Sequence, residues 1–231
     1  MRTRIGILAK APVPGRVKTR LARRIGAAAA AGVYRRLLRE VAAMTAQAAA
    51  GMDACEVTLW FTPGSHPLLR RLAQAHGLRQ QRQPPGTLGQ RLRAIAHASL
   101  DGADAVLLLG ADCIGLRPGH LHRAVERLGH GDEAVFVPAL DGGYTLVGLT
   151  DPHAVLFRDI GWGSATVMRQ TLRAGARAGI PISQLPAAGD LDVWSDLRSW
   201  RRRAGADVIW RRRPAAGYDA GSAIVDRSAW P

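Results

Sequence analysis

The densest chemistry in the sequence lies in AKAPVPGRVKTRL, residues 9–21, where Lys10, Arg16, Lys18 and Arg20 crowd a stretch holding two prolines and a glycine. A short apolar run, IGIL at 5–8, leads in, and an alanine-rich helical pattern leads out. A turn running into a helix offers free backbone N–H groups and the positive end of a helix dipole, which suits an anion. Pro12 and Pro14 stiffen this turn, and Gly15 permits a close backbone approach. The same dipole opposes cations at a helix start, so the charge at 16, 18 and 20 asks for a counter-charge. A bound polyphosphate supplies one; the competing reading is a solvated basic helix start. The GxxxxGK[ST] pattern of a Walker A loop is absent.

LLLGADC (107–113) ends a buried apolar run in a carboxylate. In open α/β sheets such a position faces the ligand edge, where Asp112 could hold Mg²⁺ or Mn²⁺ together with substrate oxygens. An Asp capping the following turn is the plainer alternative. DLDVWSDL (190–197) offers Asp190 and Asp192 before a helix, as caps or as a second metal ligand. LDGGY (140–144) reads first as a hairpin turn. The seven histidines are scattered, and Cys55 and Cys113 show no CxxC spacing. A zinc site, a disulfide framework and a GxSxG nucleophile elbow are therefore not indicated.

The elements that must carry these groups alternate. Strands are expected at 4–9, 55–62, 78–83, 105–112, 133–139, 144–149 and 181–186. Helical patterns run over 17–49, with a break at Gly26 or Gly32, and over 66–77, 87–100, 118–129, 164–179 and 192–203. That alternation implies an α/β fold, a three-layer α/β/α sandwich, with a mixed, mostly parallel sheet. One domain over 1–204 and a tail over 205–231, with a short strand at ADVIW, are expected. The net charge of +14 invites a nucleic-acid reading. Yet all cations but Lys10 and Lys18 are arginine in an Ala- and Gly-rich chain, and aromatics make up only 5%, so a base-stacking platform is poorly supported. No apolar stretch reaches membrane-spanning length, and a cytoplasmic protein is expected.

Taken in order, KAPVPGRVKTRL, GTLGQRL, LGADCIGL, DGGYTLVGL, FRDIGW and DLDVWSDL resemble a bacterial family of GT-A-fold transferases, DUF2064, or arsenosugar-biosynthesis-type glycosyltransferases. The resemblance spans about residues 4–200. It extends to the related guanylyltransferases that act on 2-phospholactate. It implies the nucleotide-diphospho-sugar transferase fold and a metal-dependent glycosyl transfer from a nucleotide-sugar to a small-molecule acceptor. Lys10, Ala11, Pro12, Gly15, Arg16, Lys18 and Arg20 would hold base and phosphates, with Lys18 also easing departure of the leaving group. Gly86, Gly89 and Arg91 would lie against the nucleoside. Asp112 and Asp192 would bind Mg²⁺ or Mn²⁺. Asp141, Gly142, Gly143 and Trp162 would shape the acceptor side, with Asp141 as general base. Two departures stand out: Ile114 follows Cys113 where the family has proline, and Val193-Trp194 replaces Thr-Pro. A nucleotidyltransferase joining an NTP to a phosphorylated small molecule, and an inactive nucleotide-binding relative, are the alternatives.

Overall fold

A computed structural model describes residues 1–203, which fall into two compact units. The first comprises Met1–Ala11 and Leu37–Asp190; the second takes Pro12–Arg36 and the described residues from Leu191 onward. The tail expected from 205, with its strand at ADVIW, lies outside the described residues.

The first unit is built on seven strands: β1 (Thr3–Lys10), β2 (Cys55–Thr62), β3 (Arg79–Arg82), β4 (Ala105–Gly110), β6 (Ala134–Pro138), β7 (Tyr144–Leu149) and β8 (Ile182–Gln184). Their order is β3-β2-β1-β4-β7-β6-β8. The β3, β2, β1 and β4 strands run parallel, β7 is antiparallel to both β4 and β6, and β6 and β8 are parallel. The sheet is thus mixed and mostly parallel, as the two adjacent apolar runs near 133–149 suggest. A separate two-stranded ribbon pairs β5 (Cys113–Ile114) with β9 (Gly189–Asp190), which no sequence pattern announces.

Sequence explains the central position of β4. Its AVLLLG is buried along its whole length apart from Gly110, and each fully buried leucine contributes about 1.5–3 kcal/mol. On one face, Val106 and Leu108 pack with Leu92, Ile95 and Ala96 of α4 (Leu88–Leu100) and with Phe136, Val147 and Met168. On the other, Leu107 lies beside Gly148 and Leu128 of α5 (Pro118–Gly129). These are the layers of an α/β/α sandwich.

In the second unit the expected long helix is divided into α1 (Thr19–Ile25) and α2 (Ala27–Ala50), the latter continuing into the first unit. The break falls at Gly26, whose φ of 82° is left-handed and readily adopted only by glycine. The helix begins at Thr19 rather than Val17 because Lys18 itself is left-handed, with φ 48°. A further helix, α7 (Trp194–Arg203), follows the DLD segment. No helix among the described residues is long and apolar enough to cross a membrane.

Candidate functional site

In the first unit the carboxyl ends of the parallel strands carry the groups of interest. Lys10 ends β1 in an exposed position, and Ala11 is buried, its N–H donating to the Thr62 carbonyl at 2.8 Å. Beyond β4, Asp112 is half-buried, and its Oδ1 lies only 2.8 Å from where a Cβ on Gly110 would stand. Any side chain at 110 would therefore displace the carboxylate, so Gly110 is part of Asp112's placement. Cys113 is anchored by its thiol, 3.4 Å from the Thr145 carbonyl, and by pairing with Asp190 across the β5–β9 ribbon. The backbone of Asp190 is thereby tied beside the Asp112 segment.

The loop from β3 to α4 is organised by a residue that the motifs do not flag. Gln83 is buried, and its Nε2 donates to the carbonyls of Ala9 at 3.2 Å and Trp60 at 2.9 Å. Its Oε1 accepts from Arg91 Nη1 at 3.3 Å, while Arg91 Nε donates to the Gly86 carbonyl at 2.9 Å. Thr87 caps α4 in a reciprocal box with Gln90, which explains the TxxQ of GTLGQ. Gly89 is buried, and a Cβ there would lie 2.6 Å from both the Phe157 carbonyl oxygen and Trp162 Nε1. GTLG and IGW thus read partly as a packing pair.

Trp162 meets Tyr144 edge-on at 6.1 Å, and Tyr144 meets Phe136 likewise at 5.0 Å. Burial pushes the Tyr144 phenol well above its ordinary pKa, and its hydroxyl has no protein partner among the described residues. Residues 139–143 form the expected tight turn: Gly142 N–H donates to Ala139, and Ala139 N–H to Gly143. Gly142 has φ 91°, and a side chain there would run into the Ala165 backbone. Asp141 is exposed, and its Oδ1 accepts the Gly143 N–H at 2.9 Å. The DGG triplet therefore has a structural reason, and one Asp141 oxygen already serves it.

In the second unit the basic turn closes with Arg16 N–H donating to the Val13 carbonyl at 3.0 Å. Gly15 is left-handed, with φ 78°, and Arg16 and Arg20 are exposed. Pro12 is buried, and its carbonyl accepts from Arg35 at 3.5 Å. Lys18 differs from its neighbours: its side chain is only 3% exposed, and Nζ lies 3.1 Å from Asp192 Oδ1. Arg20 approaches the other Asp192 oxygen at 3.5 Å. Asp196 accepts the Asp192 and Val193 N–H groups at 2.9 and 2.8 Å, capping the start of α7. One carboxylate within the unit thus counters two of the turn's cations.

A family model described as "Uncharacterized protein conserved in bacteria (DUF2064)" matches residues 45–164, just over half of the chain. The chain belongs to the DUF2064 family. The match includes GTLGQRL, LGADC and DGGY, whereas the basic turn and DLDVWSDL lie outside it. A fuller likeness is to the crystal structure of a candidate nucleotide-diphospho-sugar transferase from Desulfovibrio desulfuricans, 30% identical over 90% of each chain with a TM-score of 0.75. This DUF2064 chain is also similar to 4-diphosphocytidyl-2C-methyl-D-erythritol synthase from Anaerococcus prevotii: 8% identity, TM-score 0.58, 88% of this chain and 98% of that one. A third likeness is to glucosyl-3-phosphoglycerate synthase from Mycobacterium tuberculosis, in complex with Mn²⁺, UDP and phosphoglyceric acid. Here identity is 13% and TM-score 0.52, over 87% of this chain and 75% of that one. At the two lower identities the likeness establishes the fold, that of the nucleotide-diphospho-sugar transferases. No curated protein matches.

The Mn²⁺ of the glucosyl-3-phosphoglycerate synthase complex raises the question whether residues of this chain would fit such an ion. Among the described residues no three His, Cys, Asp or Glu side chains gather as a metal cage. Mg²⁺, however, is commonly held by one or two carboxylates plus substrate phosphates, and Asp112, a hard oxygen donor at a strand end, fits such a site. Asp192, held by Lys18 and Arg20, is engaged as a counter-ion.

Proposed function

We propose that this DUF2064 chain is a glycosyltransferase that takes a nucleotide-diphospho-sugar as donor and a small molecule as acceptor. The observation that carries the reading is Asp112, folded over Gly110 at the end of the central strand β4, in a chain 30% identical to a candidate transferase of this kind. Breaking the anomeric bond leaves negative charge on the departing diphosphate, and fixed cations lower that barrier by meeting charge where it develops. Lys10, exposed at the end of β1 in the same unit as Asp112, has this role. Ala11 follows it at the strand end and brings the backbone up to the phosphates. Gly86, Gly89 and Arg91 support the nucleoside. A Mg²⁺ or Mn²⁺ ion, held by Asp112, would supply Lewis-acid stabilisation of the same charge.

The acceptor lies against Gly142, Gly143 and Trp162, where the aromatic pair Trp162–Tyr144 gives a firm wall. Asp141 is the candidate base: its backbone contact through Oδ1 orients the carboxylate, and its exposure leaves it open to an acceptor hydroxyl. In water without an acceptor, slow hydrolysis of the same donor is expected.

The test is a turnover assay with UDP-, GDP- and CMP/CDP-activated donors, each with Mg²⁺ or Mn²⁺, following release of nucleoside phosphate and sugar. Release of a nucleoside diphosphate from a nucleotide-sugar supports the reading. Pyrophosphate release from an NTP would instead establish the nucleotidyl transfer that the same cations could serve. Nucleotide binding without any turnover would identify an inactive relative.

A further inference from the structure

We infer that Gln83 is a positioning residue, which fixes the Arg91 guanidinium as a donor to the nucleoside end of the bound nucleotide. The inference rests on the proposed nucleotide reading and adds a residue and a role to it. Gln83 is only 9% exposed, and three protein groups fix which way its carboxamide points. The carbonyls of Ala9 and Trp60 require the NH₂ end, and the Arg91 guanidinium requires the oxygen end. A flipped amide would set oxygen against two carbonyls and NH₂ against a cation, so one orientation is strongly preferred.

That orientation links two places. At one end are the carbonyls near the carboxyl ends of β1 and β2, one residue before Lys10 and two before Thr62. At the other is Arg91, whose Nε holds the Gly86 carbonyl of the loop entering α4. Arg91 stands in the first turn of α4, where the helix dipole opposes a cation. The two oxygen acceptors offset that cost and lock the plane of the guanidinium. Of its five N–H donors, two serve Gly86 and Gln83, and the remaining edge can meet an oxygen acceptor.

The Gln83 amide spans the carbonyls of β2 and β1. On the proposed reading, in which Gly86, Gly89 and Arg91 support the nucleoside, the acceptor that meets the remaining edge of Arg91 belongs to base or ribose rather than to the metal-bound phosphate.

The test is calorimetric titration of the full chain with UDP, GDP and CDP and, separately, with inorganic pyrophosphate, in the presence of Mn²⁺. Gln83→Met, close in shape but without hydrogen bonds, should weaken the preferred nucleoside diphosphate about tenfold or more and leave pyrophosphate within twofold. Arg91→Met, which leaves the buried amide in place, should do the same, and the double variant should be little worse than either alone. Equal weakening of nucleoside diphosphate and pyrophosphate, or unchanged affinities in both variants, overturns the inference while leaving the proposed function standing. Wild-type protein that binds no nucleoside diphosphate refutes both. Should Gln83→Met fail to fold, Gln83→Asn, one methylene shorter, takes its place and is read against the same outcomes.

Discussion

Replacing Gly89 with alanine is a test whose sign can be worked out from two competing terms. Alanine is a better helix former than glycine, so in an open helix the change gains about 0.8–1.0 kcal/mol. At Gly89 the new methyl would stand 2.6 Å from the Phe157 carbonyl oxygen and 2.6 Å from Trp162 Nε1. Both are far inside van der Waals contact, and one partner is backbone, which cannot swing away. Overpacking of this kind costs about 1–3 kcal/mol, and a rigid neighbour puts it at the upper end. The net loss is about 1–2 kcal/mol, or a melting temperature lower by roughly 2–8 °C at about 2–4 °C per kcal/mol for a domain of this size. Differential scanning calorimetry measures it, and the Trp162 environment should register as a shift in tryptophan emission. Gly32→Ala is the control: Gly32 is an exposed residue within α2, and an added methyl meets no atom within 4 Å. It should raise the melting temperature. If Gly89→Ala matches Gly32→Ala in sign, the tight packing of α4 against 157–162 is wrong.

Other outcomes follow from the same geometry. Asp192→Asn removes the full counter-charge facing the 3%-exposed Lys18 side chain; with Asp192 itself 43% exposed, the loss should be about 1 kcal/mol, read as a lower denaturant midpoint. An unchanged midpoint would show that the pair contributes nothing. Tyr144→Phe removes a buried hydroxyl without a protein partner among the described residues and should leave stability unchanged or raise it by up to about 1 kcal/mol, read as the melting temperature; a clear fall would reveal a partner for that hydroxyl. Burial, and to a lesser degree Glu56, push the Cys55 thiol up to about 11 from 9.0. At pH 8 its alkylation by iodoacetamide should be about 100-fold slower than that of an ordinary thiol, rising with pH to about 11. Labelling at the ordinary rate would contradict that environment.

Much of the fold was legible because its signals are local and redundant. The apolar run of β4, the Thr87 cap and the turn glycines each point to one element. Two kinds of feature were not legible. The β5–β9 ribbon is two residues on each side, too short to show a period, and its paired residues lie more than 70 positions apart, Cys113 with Asp190 and Ile114 with Gly189. Gln83 sits in RQQRQPPG, where neighbouring glutamines have the same composition and only the fold tells which one turns inward. For the candidate site, the residue types were readable, whereas their engagements were not. Sequence spacing left Asp192 as cap or metal ligand. The structure has Asp196 as the cap and Asp192 as the counter-ion of Lys18 and Arg20. Likewise, GTLG and DGG carry packing constraints at Gly89 and Gly142 that any functional role must share.

Asp112 is proposed to serve a divalent ion through which a nucleotide-diphospho-sugar is bound. That role is tested most directly by titrating that donor, in calorimetry, into wild-type and Asp112→Asn protein with and without Mn²⁺. Donor affinity in the wild type should rise at least tenfold with Mn²⁺, and the ion should make no difference to the Asn variant. Equal Mn²⁺ enhancement in both proteins would place the ion elsewhere and remove Asp112 from the chemistry.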